Sequence, residues 1–129
     1  MLRPGTMRKL ILLVDPDPHF RAGLRRLLEA GGFAVGEACS GEEGERTIHR
    51  VHVDAVIVDV LVESLVPGGS VAEKLKATGS RMPVYVFSEA SIVTREDIDF
   101  TAMNIAGVFT RPLNATVVIN TLKTRLKIS

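Results

Sequence analysis

The chain alternates between short unbroken apolar runs and longer stretches in which apolar residues recur at every third or fourth position. Runs at 10–14, 55–59, 83–87 and 107–110 read as strands, and 33–38 reads as a shorter, partly apolar second strand. Between the first two, Phe20, Leu24, Leu27 and Leu28 share one helical face. They predict a helix opened by Asp17, with Pro18 at its first position, and closed by Gly31-Gly32. Ser40-Gly41-Glu42-Glu43 and Ser70-Val71-Ala72-Glu73 both have capping-box spacing. They predict a second helix running to about Arg50 and a third that Gly79 closes. A fourth helix is predicted from Thr94, with Ile98, Ala102 and Ile105 on one stripe and Asn104 as a left-handed C-cap. Asn114 caps a last helix marked by Val118, Leu122 and Leu126.

Alternation of strand and helix at this spacing predicts an α/β fold, a parallel sheet with right-handed crossovers and helices on both faces. In open sheets of this kind ligands gather outside the carboxyl ends of the strands. Two of the apolar runs deliver acids there: Asp15 and Asp17 follow the first strand, and Asp59 ends the third.

Composition narrows the function without naming it. With 129 residues the chain fits one domain, read as a short arm over 1–8 and a folded unit over 9–128. Met7 is an alternative start. Sixteen basic against fifteen acidic residues leave a net charge of +1, with no basic stripe, so nucleic-acid binding by this chain alone is excluded. The apolar run after Lys9 is too short for a signal peptide or a membrane span. The single cysteine, Cys39, cannot form an internal disulfide and suits a cytoplasmic protein. His19, His49 and His52 have no second histidine or cysteine at ligand spacing and read as surface residues. Gly31-Gly32 and Gly68-Gly69 lack the strand-glycine-helix context of a nucleotide fingerprint and read as turns. Asp17-Pro18-His19 sits where cobalamin-binding domains place an axial histidine, but Gly23 falls one residue late and Arg111-Pro112 stands where a glycine pair belongs.

Along 8–126 the chain resembles the receiver domain of two-component response regulators. The match rests on Asp15, Asp59, Ser88 and the Arg111-Pro112 pair, each at a strand end. The resemblance implies a flavodoxin-like, doubly wound sheet of five parallel strands in the order 2-1-3-4-5. It implies that Asp59 accepts a phosphoryl group from a histidine kinase or phosphotransfer protein. It also implies Mg²⁺ held by Asp15, Asp59 and the Leu61 carbonyl, a Ser88 hydroxyl that follows the phosphoryl group, Arg111 as the cation, and a cis bond before Pro112. Output is then binding: the surface of the fourth helix, the fifth strand and the last helix, where Phe100 and Met103 lie off the apolar stripe, would dock a downstream protein or form a homodimer. No enzyme activity is implied beyond slow self-phosphorylation from small donors and self-dephosphorylation.

Four departures bear on that transfer. The family's second acid after the first strand is Pro16, which offers neither carboxylate nor N–H. Asp17 is left to reach a metal through water, so Mg²⁺ affinity should be weak or absent. The family's Met-Pro pair after the phosphoacceptor is Val62-Glu63, in a longer loop over 60–69. Its lysine is Arg111, whose planar fork can pair bidentately with a carboxylate. Its switch aromatic in the fifth strand is Val108. The alternative reading is a pseudo-receiver that binds partners without phosphorylation, with Arg111 and the acids locked in an ion-pair cluster.

Overall fold

The computed structural model describes residues 8–65, 70–89 and 105–128. The arm at 1–7, most of the helix predicted from Thr94, and the C-cap Asn104 lie outside the described residues. Five strands form one parallel sheet: β1 (Leu10–Val14), β2 (Ala34–Ala38), β3 (Ala55–Asp59), β4 (Val84–Ser88) and β5 (Gly107–Thr110), in the order β2-β1-β3-β4-β5. The described helices are α1 (Pro18–Ala30), α2 (Gly41–Arg50), α3 (Val71–Ala77) and α4 (Ala115–Leu126). A single wide turn of π-helical geometry, Leu61–Leu65, follows β3.

The sheet sorts its side chains by parity. Odd-numbered strand residues such as Ile11, Leu13, Ile57, Phe87 and Phe109 pack with Leu24, Leu28, Val118 and Leu122 of α1 and α4. Even-numbered ones, among them Leu12, Val14, Val56, Val58 and Val86, pack with Val71 and Ala72 of α3 and with the partly buried Ile48 of α2. The odd face holds the buried aromatics, including a Tyr85–Phe109 stack with ring centroids 5.2 Å apart. The even face is valine-rich, and α2 rides close over it: a Cβ on Gly44 would sit 3.0 Å from Val14 Cγ2. Because both faces are covered, the central strands β1, β3 and β4 are nearly continuous apolar runs, whereas the edge strand β2 carries Glu37, paired with Arg21 and Arg25 of α1.

The punctuation follows the sequence closely. Asp17 accepts from the His19 N–H at 2.9 Å, Ser40 from Glu43 at 3.1 Å, Ser70 from Glu73 at 3.0 Å and Asn114 from Val117 at 3.1 Å. Gly32 and Gly79 take the left-handed conformation (φ +97° and +78°) just past α1 and α3, where a side chain would be strained. Two expectations shift. β4 starts at Val84 because Pro83 has no N–H for the ladder; its carbonyl accepts from Val56 at 3.0 Å. Neither predicted capping box closes as written. The Glu43 carboxylate accepts from Cys39 N–H at 3.3 Å, one residue early, and at the start of α3 it is Glu63, not Glu73, that accepts from the free amides of Val71 and Ala72.

Candidate functional site

The carboxyl ends of β1 and β3, neighbours in the centre of the sheet, bring Asp15 and Asp59 together. Asp15 is buried, its own N–H donating to the Ala38 carbonyl at 3.0 Å and its Oδ1 accepting from the Asp17 N–H at 2.6 Å. Its carbonyl accepts from Arg21 Nη1, so a side chain of α1 reaches back to hold the strand tip. Asp59 is half-buried and its Oδ2 accepts from the Leu61 N–H at 3.1 Å, forming a tight turn into the segment that follows.

Burial pushes both carboxyls above the usual aspartate range. For Asp15 the Asp17 N–H pulls the other way, the negative charge of Asp59 adds to the rise, and Arg111 opposes it. For Asp59 the Leu61 and Val62 amides and Arg111 oppose burial without overcoming it. Two desolvated like charges at one sheet edge are the electrostatic condition that a bound cation relieves.

The donors for such a cation are few. Asp15 spends one oxygen on the Asp17 N–H, Asp59 accepts from the Leu61 and Val62 amides, and Leu61 follows within the same turn. Pro16 contributes nothing, and the exposed Asp17 directs its Oδ1 to the α1 cap. Among the described residues no group of three His, Cys, Asp or Glu side chains could hold a metal. Two carboxylates, Asp15 and Asp59, are thus what the described residues offer a hard cation, one acid short of the expected cluster.

Ser88 and Arg111 arrive where the sequence placed them but with other partners. Ser88 is buried and its hydroxyl donates to the Glu89 carbonyl at 2.9 Å; its own carbonyl accepts from Arg111 N–H at 3.0 Å. The Arg111–Pro112 peptide bond is cis. The Arg111–Asp59 ion pair of the alternative reading does not form: the guanidinium lies 4.2 Å over the Phe20 ring and 5.3 Å from that of Phe87, with Nη1 3.5 Å from Glu89 Oε1. Stacking on two rings competes successfully with a carboxylate that already accepts backbone donors.

Two residues with a part in the site were missed from sequence. Phe20 was read only as a core position. Glu63 was read as a loop residue, yet it is buried: its Oε1 accepts from Val71 N–H at 2.7 Å, and its Oε2 from Ala72 N–H at 2.9 Å and Ser70 Oγ at 2.6 Å. It caps α3 from across 66–69 and so ties down the segment that leaves Asp59. The signal in the sequence is the acid set beside apolar Val62, seven residues ahead of a helix cap. His19, His49 and His52 are exposed, as is Cys39. Phe100 and Met103 lie outside the described residues. Among the described residues no helix is long and apolar enough to cross a membrane.

Comparison with known proteins bears on the fold that carries this site. The family model described as the response regulator receiver domain matches residues 11–123. Response regulator MprA of Mycobacterium leprae (strain TN) is 34% identical over 84 residues, covering 65% of this chain and 36% of that protein. The transcriptional regulatory protein PrrA of the same organism is 35% identical over 89 residues, covering 69% of this chain and 38% of its own length. The chain thus spans little more than a third of these curated relatives. Among solved structures, a response regulator receiver protein from Burkholderia phymatum superposes with a TM-score of 0.78 at 25% identity, over 95% of this chain and 98% of that one. Full-length FixJ from B. japonicum gives 0.80 at 17% identity over 95% of this chain and 59% of that one, a likeness of fold.

Proposed function

This chain belongs to the response regulator receiver family of two-component systems, a signalling domain, and on that premise we propose that Asp59 is its phosphoacceptor. The observation that carries the reading is the pairing of Asp15 and Asp59 at adjacent strand tips, with the Asp59 carboxylate held by the Leu61 and Val62 amides and by no ion pair with Arg111. A carboxylate oxygen of Asp59 attacks the phosphorus of a donor; the bond from phosphorus to the donor breaks and its electron pair leaves with the donor. When bound, Mg²⁺ supplies positive charge to the phosphoryl oxygens, as it does generally in receiver domains. In this chain Asp15, Asp59 and the Leu61 carbonyl would hold it.

Ser88 and Arg111 complete the reading as the groups that follow the phosphoryl oxygens. Both must leave present partners, Ser88 the Glu89 carbonyl and Arg111 the two phenyl rings, and that exchange biases the β5–α4 side of the domain between two arrangements. A histidine kinase or phosphotransfer protein is the donor and a downstream protein the receiver of the signal, in the cytoplasm. A phosphorylation-independent pseudo-receiver is the second reading, favoured by Pro16 and by the two-carboxylate donor set.

Incubation with Mg²⁺ and acetyl phosphate, followed by intact-mass measurement of wild type and Asp59→Asn, separates the two. A phosphoryl adduct on wild type alone supports the acceptor. No adduct under forcing conditions rejects it in favour of the pseudo-receiver.

A further inference from the structure

Arg111 stands at the acid site, yet it is held by something else. Its guanidinium carbon lies 4.2 Å above the ring of Phe20 on α1 and 5.3 Å from that of Phe87 on β4. Those two rings contact each other, with centroids 4.2 Å apart and planes inclined by 32°. Phe87 is fully buried and Phe20, partly buried, packs against the odd-face core, so the shelf joins α1 to β4 beneath the guanidinium. The polar contacts of the side chain are poor by comparison. The Nη1 contact to Glu89 is long at 3.5 Å, and Nε is buried without a hydrogen-bond partner.

An orphaned buried donor costs free energy, and stacking offsets it. The docked position is therefore held by the rings and opposed by Nε. An oxyanion within reach would satisfy Nε and tip the balance. An arginine suits this device where a lysine does not, because the planar guanidinium can lie flat on a ring and later present a fork to phosphate.

We propose that Phe20 is a positioning residue acting through Arg111: with Phe87 it holds the guanidinium beside Asp59, leaves the acceptor carboxylate unpaired, and sets how readily a phosphoryl oxyanion draws Arg111 off the rings. This rests on the reading of Asp59 as phosphoacceptor.

The test measures the affinity of the whole chain for beryllofluoride, a phosphoryl mimic, in the presence of Mg²⁺, by NMR titration. Phe20→Leu keeps apolar volume but removes the ring, so it should bind about three- to tenfold tighter, the equivalent of one half-exposed cation–ring contact. Phe20→Tyr keeps the ring and should match wild type. In an Arg111→Ala background Phe20→Leu should change nothing, an outcome that a purely structural role for Phe20 would not produce. The Arg111 side-chain protons, ring-current shifted in wild type, should move toward free-arginine positions as beryllofluoride is added. Equal affinities of wild type and Phe20→Leu, an effect that survives Arg111→Ala, or Arg111 signals unmoved by the mimic each overturn the inference while leaving Asp59 as acceptor. Failure of every variant to bind the mimic, with no acetyl phosphate adduct, overturns both.

Discussion

Replacing Glu63 by glutamine should destabilise the domain by about 2 kcal/mol while preserving side-chain shape. The carboxylate now receives three donors, Val71 N–H on one oxygen and Ala72 N–H with Ser70 Oγ on the other. A glutamine has one carbonyl oxygen and an NH₂. If the oxygen faces Val71, the NH₂ meets the Ala72 N–H; if it is flipped, it meets the Val71 N–H. Either way one buried backbone donor is stranded, at about 1–3 kcal/mol, and the remaining bonds lose their charge assistance. Burial works against the carboxylate, since it is the largest influence on Glu63 and holds its carboxyl above the ordinary glutamate range. Relief of that burial keeps the loss near 2 kcal/mol instead of the larger sum of three charged bonds. With a urea slope of about 2 kcal/mol per molar for a domain of this size, the midpoint should fall by about 1 M with an unchanged slope. Far-ultraviolet circular dichroism at neutral pH reads this directly. A Glu63→Gln midpoint indistinguishable from wild type would refute the reasoning, showing that the cost of burying the charge cancels the cap.

Asp59→Asn should raise the thermal midpoint at neutral pH, because the folded state holds the Asp59 carboxyl above its ordinary value and an asparagine oxygen still accepts from Leu61. A raised folded-state value favours folding below the ordinary carboxylate range and loses that advantage as pH climbs through the raised value. The gap between variant and wild type, followed by calorimetry, should therefore close on acidification; a gap that widens there contradicts the assignment. Pro16→Asp returns a third carboxylate beside Asp15 and Asp59 and should tighten Mg²⁺ binding about tenfold or more by isothermal titration, with a matching rise in acetyl phosphate adduct. Unchanged affinity would mean that the missing ligand is not what limits the metal. Gly31→Ala places a Cβ 2.3 Å from Ile119 Cδ1, the free end of a partly buried side chain that can turn aside, so it should cost no more than about 1 kcal/mol in chemical denaturation, with part of the loss recovered on adding Ile119→Val. No recovery would move the strain elsewhere.

The architecture was legible because both of its signals are local. Buried parallel strands must be unbroken apolar runs, and helices must end on groups that satisfy their terminal amides and carbonyls. Asp17, Ser40, Ser70, Asn114, Gly32 and Gly79 do so where the pattern says they should. The position of the acids was legible for the same reason, each being the residue that stops an apolar run. The direction of Arg111 was not: whether a guanidinium takes a carboxylate or a pair of rings depends on how α1 docks over β4, and no spacing within the chain encodes that. Glu63 was hidden because its partners are contributed by a helix start beyond 66–69. An acid in a loop is solvated until a folded turn aims it at bare amides.

The parity of the sheet has a consequence for how this domain tolerates mutation. Every strand contributes odd residues to the face that carries the aromatics and even residues to the valine-rich face. Sensitivity to substitution should therefore oscillate residue by residue along each strand, in phase across the whole sheet. On the odd face, truncating Phe87 or Phe109 to alanine removes a ring, at about 3–5 kcal/mol, and on the even face valine to alanine removes less volume. The same oscillation runs out through the strand ends. Asp59 and Arg111 are odd and Ser88 is even, so drift in the aromatic layer would reach Asp59 and Arg111 and drift in the valine layer would reach Ser88. A lineage diverging from its relatives could thus retune one without disturbing the other.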